Sequence, residues 1–112
     1  MQAGKLRHLI QFERKTEEQD SDGALVETWS PAYGGRRFWA NVDDLSGREL
    51  LAAAAINAKV TTRIIVRAVP NLDAKMRVVF QGRNYNIDAI IRDPNSRNQY
   101  FTLACYVGTN EG

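Results

Sequence analysis

A single cysteine, Cys105, and a single histidine, His8, leave this sequence almost without the residues that close disulfides or hold metals. One thiol cannot pair within its own chain, and no CxxC or HxxxH spacing offers zinc a ligand set. Long apolar runs are missing too. The best stretch, 50–56, falls far short of the roughly 20 residues that span a bilayer. Gln2, Gly4, Lys5, Arg7 and His8 break up the N-terminal segment where a signal core would lie. The sequence thus reads as a chain that folds in the cytoplasm, with no membrane, metal or cofactor requirement. An excess of one charge is also absent: 15 Lys and Arg stand against 13 Asp and Glu, for a net charge of +2. A nucleic-acid binder would ordinarily show a basic stripe or a strongly skewed balance.

What is present is an ordinary globular composition of one domain's length, residues 1–112, with 44% apolar and 25% charged residues. Residues 8–14 alternate, with Ile10 and Phe12 on one face and Gln11 and Glu13 on the other, the period of a strand. Residues 16–23 are polar and end in Ser-Asp-Gly, a turn composition. A short strand over 25–29 precedes a loop marked by Pro31 and Gly34-Gly35. Alternation resumes over 37–42, where Phe38, Ala40 and Val42 share a face. Residues 60–69 form the clearest strand, with Val60, Thr62, Ile64, Val66 and Ala68 on one side and Thr61, Arg63 and Arg67 on the other. After a turn over 70–76 come a strand at 77–80 and a hairpin turn over 81–84. A strand over 85–91 follows, with Tyr85, Ile87, Ala89 and Ile91 inward, then a loop at 93–96 and a last strand over 100–107.

One element breaks the series. Ser46-Gly47-Arg48-Glu49 has the spacing of a capping box, in which the serine oxygen accepts from the Glu49 amide and the carboxylate reaches back. The Ala/Leu-rich run that follows favours a helix over about 47–57. The sequence therefore predicts a mainly β protein: a small antiparallel β-barrel of six to seven strands, which hides strand edges, with one inserted α-helix. That helix is apolar nearly all round, and a barrel this small covers only one face of it. The rest points towards self-assembly.

Candidate chemistry is thin. Asp43 and Asp44 are adjacent and would point to opposite faces of a strand. Asp88 and Asp93 lack a partner at glycosidase or metal spacing. Ser46, His8 and an aspartate can be written as a triad, but no nucleophile elbow supports it. Cys105 alternates with Leu103 and Val107 as a small core side chain, and Trp29 and Trp39 suit core or interface packing. An enzyme is not indicated. The competing reading lies in Arg63, Arg67, Arg77, Arg83, Arg92 and Arg97, which with Tyr85 and Tyr100 would give a nucleic-acid-binding barrel a single-strand face. Solubility and ion pairing explain the same arginines without a ligand.

Taken in order, these segments resemble the head–tail joining (head-closure, or stopper) proteins of long-tailed phages. The likeness runs from Gly4-Lys5-Leu6-Arg7 through Asp22-Gly23 and Glu27-Thr28-Trp29. It is most telling in Trp39-Ala40-Asn41-Val42 leading to Leu45-Ser46-Gly47-Arg48-Glu49-Leu50, then Ala54 and Asn57. It continues through Thr61-Thr62-Arg63-Ile64, Met76-Arg77-Val78 and Gly82-Arg83-Asn84-Tyr85-Asn86-Ile87. Ala68-Val69 departs from the pattern, since an aromatic residue is expected there.

The resemblance implies a homo-oligomeric ring, typically a dodecamer, in the neck of the virion, assembled in the bacterial host cytoplasm. Such a ring sits beneath the portal and adaptor proteins, closes the channel over packaged DNA and presents a docking surface to tail terminator or tail tube proteins. In such proteins the segment between the third and fourth strands moves between channel-lining and channel-closing states. Here that gating and subunit-packing element falls on Leu45, Ser46, Gly47, Arg48, Glu49, Leu50, Leu51, Ala54 and Asn57. Asp20 and Asp22 in the first turn, with Asp93, Asn95 and Arg97 in the last loop, are candidates for the tail- or adaptor-facing surface.

Overall fold

The structure, a computed structural model, describes residues 6–47, 59–92 and 99–108. Seven strands run through these described residues: β1 (His8–Gln19), β2 (Leu25–Pro31), β3 (Arg37–Asp44), β4 (Thr62–Arg67), β5 (Arg77–Phe80), β6 (Arg83–Arg92) and β7 (Tyr100–Val107). They form one sheet in the order β2-β1-β3-β4-β7-β6-β5, all antiparallel, and β5 returns to pair with β1. That last pairing, Gln11↔Val79 to Glu13↔Arg77, closes a six-stranded barrel. The seventh strand, β2, lies outside the closure and pairs only with β1.

The alternation that marks the strands also fills the barrel. Ile10 and Phe12 from β1, Ala40 from β3, Ile64 and Val66 from β4, Val78 from β5 and Leu103 and Cys105 from β7 are all essentially sealed from solvent. Each large side chain among them contributes about 2 kcal/mol through the apolar surface it removes from water. Phe12, Tyr33 and Phe38 meet edge to face at ring separations of 5.4–6.0 Å and pack one end of this core. The β5–β6 connection is a two-residue turn, Gln81-Gly82, with φ of +52° and +77°. Two consecutive positive φ values match the right-handed twist of a tight hairpin, and Gly82 adopts its value without a Cβ penalty.

The structure corrects the sequence reading in three places. Ala89 and Ile91 face outward, because β6 carries a bulge between Ile87 and Ala89 that shifts its register against β7. One extra residue, Asp88, reverses the period-2 alternation, so Ile90 packs on the core and Ile91 stays exposed. Ala68 also faces solvent rather than the core, since β4 ends at Arg67 and the alternation does not persist past the strand. The first turn is much shorter than the polar composition suggests. β1 runs on to Gln19, because Glu13↔Pro31 through Gln19↔Leu25 form an unbroken ladder with β2. Backbone pairing, not burial, extends this strand.

The helix expected over 47–57 lies, apart from Gly47, outside the described residues. Its point of departure is defined: the Leu45 amide donates to the Thr61 carbonyl at 2.9 Å. The chain therefore leaves β3 and re-enters β4 at one place on the barrel rim.

Candidate functional site

The groups that could carry chemistry are occupied structurally. His8 Nδ1 accepts a hydrogen bond from the Val42 amide at 3.0 Å, and its ring stands edge-on to Phe80. Asp43 accepts from Asn41 Nδ2 at 2.7 Å and faces Arg63, while Asp44 accepts from the Thr62 hydroxyl. Cys105 is fully buried, and burial, with a smaller effect from the Asp88 charge, pushes its thiol up to about 12. A thiol so held is not a nucleophile at neutral pH. Among the described residues no cluster of His, Cys, Asp and Glu could hold a metal ion, and no helix is long and apolar enough to cross a membrane.

Of the expected gating residues, Leu45 is half-buried at the rim, and Ser46 and Gly47 are exposed beside it. Arg48, Glu49, Leu50, Leu51, Ala54 and Asn57 lie outside the described residues, as do Asp93, Asn95 and Arg97. Asp20 and Asp22 stand in the β1–β2 turn. Asp20 Oδ1 accepts from the amides of Asp22 and Ala24, both at 2.9 Å, and Gly23 takes φ +86°. That Asx turn fixes the tip of the hairpin.

Two surfaces stand out in the structure, and of them only the tip of the first, at Asp20 and Asp22, was singled out from sequence. The first is the β1–β2 hairpin beyond the barrel, an arm in which every residue from 17 to 27 is exposed. Six residues of strand carry it about 20 Å past the barrel, and the molecule's extents are 50 × 30 × 24 Å. Its root is clamped. Arg77 on β5 is buried, donates through Nε to Glu13 on β1 at 2.7 Å, and lays its guanidinium 4.3 Å from the Trp29 ring centroid on β2. A charge-assisted pair and a cation–π contact thus tie three strands together. Halfway along, the hydroxyls of Thr16 and Thr28 are 2.8 Å apart across the ladder.

The second surface is a groove of about 650 Å³ on the barrel wall, lined by Arg7, Arg36, Arg37 and Arg67 around Phe38 and Trp39. Trp39 is 56% exposed, which is unusual for so large an apolar side chain. Of the arginines expected to form a strand-binding face, Arg67 alone among the described ones lines this groove, and Arg97 lies outside the described residues. Arg77 is buried against Glu13, Arg63 faces Asp43, and Arg83 sits beside the β5–β6 turn. A charge pattern 17–27 rich in carboxylates and the run Arg36-Arg37-Phe38-Trp39 were the legible signs of both surfaces.

A closed small barrel with an occupied interior, an excursion at its rim, a projecting arm and an aromatic–arginine groove has the features of an assembly module. The comparisons give that class a family. Residues 1–108 match the family of phage head completion proteins, and the chain belongs to it. It is 33% identical over 78 residues to head completion protein gp7 of Enterobacteria phage HK97, covering 70% of this chain and 67% of that protein. Among solved structures it is similar to a protein of Shigella flexneri 2a, with a TM-score of 0.77 and 26% identity over 99% of this chain and all of the other. A chain of the virion of a native gene transfer agent particle shares the fold, with a TM-score of 0.57 and 19% identity over 92% of this chain and 96% of that one. The protein is thus a structural component of the phage head–tail region, located in the virion, in a family that is not one of enzymes.

Proposed function

We propose that this protein assembles as a homo-oligomeric ring, a dodecamer in the particle, between the portal and adaptor proteins and the tail. There it closes the channel of the DNA-filled head and provides the surface on which the tail docks. The observation that carries this reading is the match of residues 1–108 to the head completion family. The rim geometry supports it. Because Leu45 and Thr61 are bonded to each other, the proposed gating segment leaves and rejoins the barrel at one anchored point on the rim. Many copies of one modest contact make a stable ring, since each added subunit is held by both neighbours. The alternative reading, a nucleic-acid-binding barrel, loses Arg77 and Arg63 to carboxylate partners, Glu13 and Asp43.

Electron microscopy of particles made without the gene tests the proposal. Empty or leaking heads beside separate, complete tails are the expected result. Normal DNA-filled tailed particles would sink it.

A further inference from the structure

We infer that the acidic hairpin arm of one copy docks in the Arg/Trp39 groove of the next copy, and that this contact joins the subunits of the proposed ring. Five of the chain's 13 carboxylates, Glu17, Glu18, Asp20, Asp22 and Glu27, lie on the arm between Thr16 and Thr28, with no Lys or Arg among them. The remainder of the chain therefore sets 15 basic groups against eight acidic ones. The groove gathers four of those basic groups, and among the described residues no carboxylate lines it. The near-neutral total conceals two opposed surfaces, an arrangement that steers association and fixes its orientation.

Apolar matter is shared as well. Leu25 at 70% exposure and Val26 at 42% stand on the arm, one on each face. Trp39 and Phe38 stand in the groove. Trp and Arg together are the residues most often found at the energetic centre of an interface. The arm is also a two-stranded ribbon with both outer edges unpaired beyond Glu13 among the described residues. Such a ribbon is marginal by itself, and open edges with exposed leucine and valine are ordinarily covered. The Asp20 turn and the Thr16–Thr28 contact hold it in shape beforehand, which reduces the ordering cost on docking.

An arm that fills this groove comes from another copy. Trp39 pairs with Leu9 near the start of β1, while the arm's tip begins at Gln19, the end of the same strand. Ten residues of strand separate them by roughly 30 Å, so the arm points away from its own groove. A contact between two different patches related by one rotation is head-to-tail, the kind that closes into a ring.

The inference rests on the ring reading, and the test separates the two. Particles carrying Leu25→Cys together with Trp39→Cys are oxidised and run without reductant. Both positions are exposed, and the native Cys105 is buried. A ladder of covalent multimers of this chain, absent from either single variant, is the expected result. In parallel, Glu17→Arg with Glu18→Arg should lower the copies incorporated per particle about tenfold, as like charges meet across the contact. Adding Arg36→Glu and Arg37→Glu should restore them. Absence of the unmodified protein from particles overturns both readings. Its presence without the ladder, Leu25→Cys captured by a different virion protein, or unchanged incorporation of the arm variant overturns the arm–groove contact alone.

Discussion

The Cys105 thiol is sealed inside the barrel with its ionisation pushed up to about 12 from an ordinary 9.0. Burial favours the neutral form, so this residue's contribution to stability is intact below pH 9 and is lost as the pH rises from 9 towards 12. In thermal melts across that range, the native protein should lose stability more steeply than Cys105→Ala; parallel slopes would contradict the account. Glu13 makes the second prediction. Its removal leaves the Arg77 guanidinium buried without its carboxylate, and Glu13→Ala should cost on the order of 2–3 kcal/mol in urea unfolding. A surface ion pair such as Lys15–Glu27, exposed on both sides, should cost well under 1 kcal/mol when broken.

At the scale of the element, β6 shows where periodicity misleads. The alternation Tyr85, Ile87, Ala89, Ile91 is perfect in sequence, yet the bulge at Asp88 turns its second half inside out. Ile90→Ala should therefore destabilise by about 2 kcal/mol and Ile91→Ala by less than 1; the reverse order in urea titrations would place the bulge elsewhere. The turns were legible to differing degrees. Gln81-Gly82 announced its hairpin by composition, whereas the polar run 16–23 read as a turn and is mostly strand. Polar alternation and a polar loop look alike until a partner strand is found. The Ser46–Glu49 capping box remains a sequence expectation, since Glu49 lies outside the described residues.

The whole molecule divides into a barrel that carries the stability and an arm that adds none of its core. Joining Thr16 to Thr28 by an Asn-Gly turn, in place of 17–27, should leave the melting temperature within a few degrees, because those two residues are already opposite each other and Asn-Gly suits a two-residue hairpin. The shortened protein should still fold and yet fail to enter particles; a folded variant incorporated normally would show that the arm is dispensable to assembly.

The sequence by itself determined the strands, the inward faces of β1, β3 and β7, and the likeness to head–tail joining proteins, because local alternation and segment order are written residue by residue. Only the tertiary structure decided the barrel closure through β1 and β5, the outward turn of Ile91 and the separation of arm from groove. These depend on which strand lies beside which. Arg7 and Arg67 are 60 residues apart in the chain and share one groove, while Trp39 and Gln19, much nearer in sequence, stand at opposite ends of the molecule's longest strand. Pairing is a property of the closed sheet, and no window along the chain contains it.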